Sequence, residues 1–367
     1  MSPRHLFTPL FTGLALTLLA FQASAVTLGA VLPLTGSSAS IGDDQRRGIE
    51  LAVADINAKG GVLGEPLKVT IEDSGDGATG ALDAATKLNT VNKVPVVLGE
   101  YSSSVSIPLG QYLVKQGLVH LNIGSSSPAI RKIGATSYSL IGLDDLSAQF
   151  AAKDVLGMGY RKIAFIAPNG AYGQGIAEQF KKYIEAGGGS VVAQVLYTPG
   201  QSSYRRELQQ MQRSQPDVFV YSAYGQEAAV INRESFDLGI AKTPWYGIYL
   251  SMCTTDTPPQ IANGQIGMEV ASLGPTGKAF ASEYQSKYGF AMKSSYSSYA
   301  YDGVMLAAAA ITQAKSADPS KIAAAIKTLG STFDGATGTL ALDADGQRTE
   351  QPYDKLVYKN GALQPRT

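Results

Sequence analysis

The chain has 367 residues, 44% of them hydrophobic, with 30 basic and 30 acidic side chains. That length exceeds one typical core and suits two domains. A balanced charge without basic blocks argues against nucleic acid or anionic membrane as a partner, and the single cysteine, Cys253, excludes an intrachain disulfide.

The first residues read as a targeting segment. Arg4 and His5 precede a mostly apolar stretch from Leu10 to Phe21, and Ala23-Ser24-Ala25 supplies an A-x-A cleavage signal. The apolar core is shorter than the roughly 20 residues a membrane span needs. Residues 1–25 are therefore expected to be a signal peptide cleaved after Ala25, with the protein exported to the periplasm. The leader holds one basic residue and no acid, so the remainder carries 29 basic against 30 acidic residues, a net −1.

From Val26 the pattern alternates between short apolar runs and longer amphipathic ones. Residues 27–33 read as a strand and 43–61 as a helix, with Ile49, Val53 and Ile56 at helical spacing and Gly60-Gly61 as its stop. Residues 67–73 read as strand, 81–93 as helix, 94–99 as strand, a helix from about Ile107, and 118–123 as strand. The alternation restarts at Tyr138. Helices are expected at 145–159, 175–189, 204–214 and 227–239, and strands at 161–167, 190–197, 217–223 and 243–250. Short apolar strands separated by helices mean parallel sheets covered on both faces. Two such series predict an α/β protein of two doubly wound lobes. The region after Met268 has too few strands for a third sheet, so it completes the first two. The expected division is 26–143 plus 275–345 for lobe I and 144–274 plus 346–367 for lobe II. Repeated crossing between lobes makes a hinge.

Catalytic and metal motifs are missing. His120 lies alone in an apolar strand and reads as a core residue. With no second histidine after the leader there is no Ser-His-Asp triad and no zinc set, so no enzyme, cofactor or metal is expected. Walker and dinucleotide fingerprints are absent. The acidic pairs Asp43-Asp44 and Asp144-Asp145 each precede a predicted helix, where they complement its dipole.

What remains sits at the carboxyl ends of strands, where open α/β sheets bind ligands. Tyr101 and Ser102–Ser104 follow one strand, and Ser125–Ser127 follow the next. Serines there can cap helices or, with the same N–H groups, hold a carboxylate. The later strands end near Tyr172, Tyr224, Tyr246 and Tyr249. A cleft would thus set hydroxyls on one side against phenols on the other, and Tyr joins a large apolar face to a polar tip.

The phrases VLPLTGSSASIGDDQRRGIELAVADINAKGGVLG, GEYSSSVS, NIGSSSP, NGAYGQG, DVFVYSAYGQE and YAYDGVMLAAAA, in that order, make the chain resemble the leucine/isoleucine/valine-binding proteins. These are type I periplasmic solute-binding proteins of ABC transporters. The resemblance covers nearly all of 26–367. It implies a three-crossover hinge, a ligand carboxylate held by Ser103 and the Ser125–Ser126 pair, and pocket tyrosines at Tyr172 and Tyr224. It also implies permease subunits of an importer as partners, and a monomer is expected. Three departures stand out: Tyr249 is at or beside the family's ammonium-binding acid, Ile41 replaces a bulkier aromatic, and the family's small disulfide is absent. The ligand expected is a branched-chain or other hydrophobic amino acid. The alternatives are an aromatic or other non-amino carboxylic acid carried in the same way, or a ligand-sensing receptor role. The expected ligand-binding residues are Tyr101, Ser103, Ser125, Ser126, Tyr172, Tyr224 and Tyr249.

Overall fold

The computed structural model describes residues 26–271 and 274–366; the expected signal peptide lies outside the described residues. Two sheets organise the chain. The first contains β1 (Thr27–Leu32), β2 (Lys68–Asp73), β3 (Val96–Gly99), β4 (Val119–Asn122) and β5 (Ser137–Ser139), all parallel, in the order β2-β1-β3-β4-β5. The intervening helices are α1 (Ala39–Ala58), α2 (Ala78–Thr90) and α3 (Ser103–Lys115). α4 (Asp144–Gly157) then leads into the second sheet.

There, β6 (Lys162–Pro168), α5 (Ala171–Ala186), β7 (Ser190–Tyr197), α6 (Arg205–Arg213), β8 (Val218–Tyr221) and α7 (Gly225–Asp237) follow in turn. They are succeeded by β9 (Trp245–Ile248), α8 (Leu250–Thr254), α9 (Pro259–Ala262) and β10 (Ile266–Val270). The chain returns to the first sheet with α10 (Gly274–Tyr288), α11 (Tyr296–Ala314), α12 (Pro319–Leu329) and the short pair β11 (Asp334–Gly335) and β12 (Gly338–Thr339). It ends in β13 (Tyr353–Lys359) and β14 (Ala362–Pro365), an antiparallel hairpin on the edge of the second sheet, whose order is β14-β13-β10-β9-β8-β6-β7. The architecture is the two-lobed, doubly wound α/β fold, crossed three times.

The central strands form because their residues are apolar in unbroken runs and both faces are covered: Val96–Gly99 and Val218–Tyr221 are buried throughout, whereas β2 and the edge strand β7 are partly exposed. In α1, Ile49 and Ile56 are buried and Val53 is half-buried. α1 lies so close to α11 that a Cβ on Gly48 would stand 2.0 Å from the carbonyl oxygen of Ser297. Glycine is required there for the backbone approach.

Three helices, α1, α3 and α5, begin four residues earlier than the pattern predicts, and α2 begins three earlier. The first turn of α1 is divided, with Ile41 buried in the core and Ser40 reaching Asp256 of the other lobe, so no clean apolar stripe marks its start at Ala39. α3 starts at Ser103; Pro108 signals a helix start in sequence, yet it lies in the second turn. The acidic pair Asp43-Asp44 is therefore inside α1, and Asp44 is buried, accepting from the hydroxyls of Tyr284 and Ser294. Dipole complementarity does not describe it.

The crossovers run side by side. Ser139 donates its N–H to the Gly346 carbonyl at 2.8 Å, and Ala271 donates to Pro352 at 3.1 Å. Arg348, 2% exposed, donates to the carbonyls of Leu140 (2.9 Å), Thr337 (2.7 Å), Thr339 (3.0 Å) and Glu350 (2.8 Å).

Candidate functional site

In each sheet the chain's winding direction reverses between two neighbouring strands: β1 and β3 in the first, β6 and β8 in the second. Loops leaving such strands diverge and open a crevice. The two crevices face each other, and the serine and tyrosine segments meet there.

On the first-lobe side, β3 leads through Glu100 and Tyr101 into α3. Glu100 is buried, accepts from the Ser74 hydroxyl (2.8 Å) and the Ser102 N–H (2.7 Å), and is pushed up to about 7 by burial. After β4, Asn122 folds the serine turn: its Oδ1 accepts from the N–H groups of Gly124 (3.3 Å) and Ser125 (2.9 Å). The Ser125 hydroxyl is engaged with Ser106 Oγ and donates towards the carbonyls of Glu100 and Tyr101. Ser125 thus builds the turn and offers no group to the cleft. Ser103 and Ser126 do line the cavity, beside Gly124. Their backbone N–H groups take no partner among the described residues, while Ser103 Oγ accepts from the Ser127 N–H at 3.2 Å.

On the other side, Tyr172 is in the first turn of α5 and Tyr224 immediately precedes α7. The Tyr224 ring is 5.2 Å from Tyr101 and 5.8 Å from Tyr172, and Tyr101 meets Tyr296 edge-on at 4.9 Å. These edge and tilted contacts suit aromatic quadrupoles. Tyr172 shares a hydrogen bond with Ser222 Oγ. Met252 of α8 completes the wall. The rings leave a cavity of only about 10 Å³, space for about one water, so a ligand enters only as the lobes and phenols part. Tyr249 does not bound this cavity. It is a left-handed pivot (φ 58°) between β9 and α8, packed 6.4 Å from both Tyr296 and Tyr353.

Asp144 overturns the dipole reading given to its pair. It is the first residue of α4, fully buried, and neither carboxylate oxygen has a partner in hydrogen-bonding geometry among the described residues. Burial pushes its pKa well up; the nearby hydroxyls of Ser126 and Ser147 and the charge of Arg131 offset part of this, and Asp145 adds to it. Burial is the main cause that raises the phenols of Tyr172, Tyr224 and Tyr249, and the charge of Asp144 adds to it. A buried carboxylate that is poorly compensated costs several kcal/mol; Asp144 does not line the cavity but adjoins it through its N–H, which donates to the Ser126 carbonyl at 2.7 Å. Gly124, Met252 and Tyr296 line the cavity and are additions to the sequence-based set, and Asp144 lies next to it. Only Asp144 carried a signal, an acid opening a helix just beyond the last strand of the first sheet.

The lobes touch at the rim. Ala171, opening α5, donates to Ser104 Oγ (3.0 Å) and accepts from Ser127 Oγ (2.7 Å). Ser40 Oγ donates to Asp256 at 2.9 Å. Gly225, at φ 31°, lets the start of α7 approach Ser37, whose carbonyl would be 2.7 Å from a Cβ there. Among the described residues no cluster of three His, Cys, Asp or Glu could hold a metal, and no helix is long and apolar enough to cross a membrane. His120 is a core residue, its ring between the Ser137 hydroxyl (2.8 Å) and the Gly99 carbonyl (2.7 Å).

This fold, with its cleft between facing switch points, defines a solute-binding protein. The sequence model of the periplasmic binding protein family matches residues 25–362, and the chain belongs to that family. It is 28% identical over 352 residues to the Leu/Ile/Val-binding protein BraC3 of Rhizobium johnstonii, covering 92% of this chain and 93% of that one. Among solved structures it resembles the branched-chain amino acid transporter substrate-binding protein LivJ of Streptococcus pneumoniae, in complex with isoleucine. The TM-score is 0.82 at 23% identity, covering 93% of this chain and 98% of LivJ. It also resembles an ABC transporter solute-binding protein of R. palustris in complex with 4-hydroxybenzoate, with TM-score 0.81 at 20% identity, covering 94% and 96%.

Proposed function

We propose that the chain is the periplasmic solute-binding component of an ABC importer and that it captures a free amino acid. Lobe I (26–143 plus 275–345) takes the carboxylate through the N–H and hydroxyl groups of Ser103 and Ser126. Charge-assisted bonds of this kind contribute roughly 1.5–3 kcal/mol each. Lobe II (144–274 plus 346–367) closes over the ligand with Tyr172 and Tyr224, and Asp144 takes the ammonium. The closed monomer is what permease subunits would engage. Binding rather than catalysis is the role, since the cleft pairs no nucleophile with a base.

The observation that carries this reading is the unpaired, buried Asp144. An ammonium compensates it; an aromatic monocarboxylate leaves it uncompensated and adds a second negative charge nearby. The four-tyrosine cage is what favours the second reading, an aromatic acid such as the ligand of the R. palustris protein. Titration calorimetry with the twenty amino acids, benzoate and 4-hydroxybenzoate separates the two. Heat with amino acids, weakened at least tenfold by Asp144→Asn, is expected; binding of benzoates alone would overturn the proposal.

A further inference from the structure

The cleft holds a second, larger space. Tyr224, a wall of the small cavity, is also a wall of a chamber of about 290 Å³ between the lobes. Ser38, Asp76 and Ser102 line this chamber from the first lobe, and Asn169, Tyr224 and Glu227 line it from the second. The two sides touch there. Ser37 donates its N–H to Asp76 at 3.1 Å, and its carbonyl accepts from the Gln226 N–H at 3.4 Å. Ligand pockets start at about 300 Å³, so the chamber has room for part of a cargo that the small cavity lacks.

The charge of the lining has one sign. No lysine, arginine or histidine is part of it, and neither Asp76 nor Glu227 belongs to an ion pair among the described residues. Glu227 is buried, which raises its pKa; bonds from the Tyr197 hydroxyl and the Gly200 N–H offset part of this, and the charge of Asp76 adds to it. The two carboxylates therefore repel each other across the lobe boundary. Ser38 supplies a third oxygen. It is 2% exposed, and whereas the Ser37 and Ser40 hydroxyls bond to Asp76 and Asp256, that of Ser38 caps nothing in α1 and has no partner among the described residues. Buried hydroxyls are normally bonded. One chamber thus joins an unpaired acceptor to two acids without a counter-ion.

We propose that the captured amino acid carries a second positive charge, an ammonium or guanidinium at the end of its side chain, seated in this chamber against Ser38, Asp76 and Glu227. This rests on the amino-acid reading above and names the substrate class. A cation between Asp76 of one lobe and Glu227 of the other turns their repulsion into attraction to a shared partner, so it favours the shut form over the open one. A site whose polar groups pair with a substrate group strongly rejects the isostere lacking it. The specificity should therefore favour basic over neutral amino acids of equal shape.

Two isosteric pairs test this by calorimetry on the full-length mature protein: lysine against norleucine, and arginine against citrulline. At least one basic member is expected to bind tenfold or more tighter than its neutral partner. Asp76→Asn and Glu227→Gln, each checked for folding by its thermal transition, are expected to shrink that ratio at least fivefold. Neutral members binding as tightly as basic ones in the unsubstituted protein, or leucine binding where lysine and arginine do not, would overturn the proposal and leave the amino-acid reading intact, without recourse to either variant. An unchanged ratio in both folded variants would also overturn it. Response to benzoates and to no amino acid would instead remove the parent reading, and this inference with it.

Discussion

Six serines in two identical triplets divide several tasks, with Ser102 preceding α3 and donating its N–H to Glu100. Ser103 and Ser126 face the cavity, Ser125 is built into its own turn, and Ser104 and Ser127 reach across to Ala171. Ser103→Ala and Ser126→Ala should each weaken binding at least several-fold by calorimetry while shifting the urea midpoint little. Ser125→Ala should lower unfolding stability by about 1–2 kcal/mol, since it removes a buried hydroxyl from three neighbours. Identical letters at the two strand ends announced a site, but nothing in them distinguishes a hydroxyl that faces a ligand from one that faces a carbonyl. That depends on Asn122, which turns the backbone of the second triplet. His120 gives a further test. Burial first, partly offset by its bond to the Gly99 carbonyl, holds its pKa down at about 4, against 6.5 in the unfolded chain. The unfolded chain therefore binds the extra proton between those values, and the stability that neutral His120 contributes above pH 6.5 is lost as pH falls towards 4. The stability difference between the protein and His120→Gln should shrink over that window by about 3 kcal/mol, read from urea unfolding at each pH.

The alternation of strands and helices was legible because parallel strands buried on both faces are continuous apolar runs. The elements that escaped are those that serve the cleft. The first turn of α1 is split between the core at Ile41 and the other lobe at Ser40, the first turn of α3 is mostly serine, and α8 follows a left-handed tyrosine that no periodicity marks. Cleft-facing residues answer to another lobe or a ligand, so they lack the hydrophobic pattern that reveals core-facing ones. Asp144 escaped for a related reason: an acid opening a helix is ordinary, and only burial without a partner makes it exceptional. Closer to the core, the α1–α11 contact makes a firm prediction. Gly48→Ala places a methyl against the Ser297 backbone, which a rigid helix pair cannot yield, and should destabilise the protein by about 1–3 kcal/mol in urea unfolding.

For the molecule as a whole, the proposed pairing of Asp144 with an ammonium would couple binding to protons. Burial raises the Asp144 pKa, so pairing with an arriving ammonium draws the carboxyl towards its ionised form and releases the proton it partly holds. Binding should then strengthen with rising pH, and calorimetry in buffers of different ionisation enthalpy should detect proton release that Asp144→Asn abolishes. Asp145 and Arg131 also act on this carboxylate, in opposite directions, so the same measurement on Arg131→Ala should show more proton release. Closure has its own contacts. Removing the rim hydroxyls together, Ser104→Ala with Ser127→Ala, should shift the ligand-free population towards the open form, seen as a larger radius of gyration in X-ray scattering.

The Arg348 guanidinium fastens carbonyls from two of the connecting ribbons into one bundle. Ribbons so bound cannot slip past each other, and the freedom left to the halves is a swing about a single pin. On the proposed import role, every cargo that shuts the jaws would present the transporter with the same outline, and the gatekeeper in the membrane would need to recognise only one silhouette, whatever lies inside.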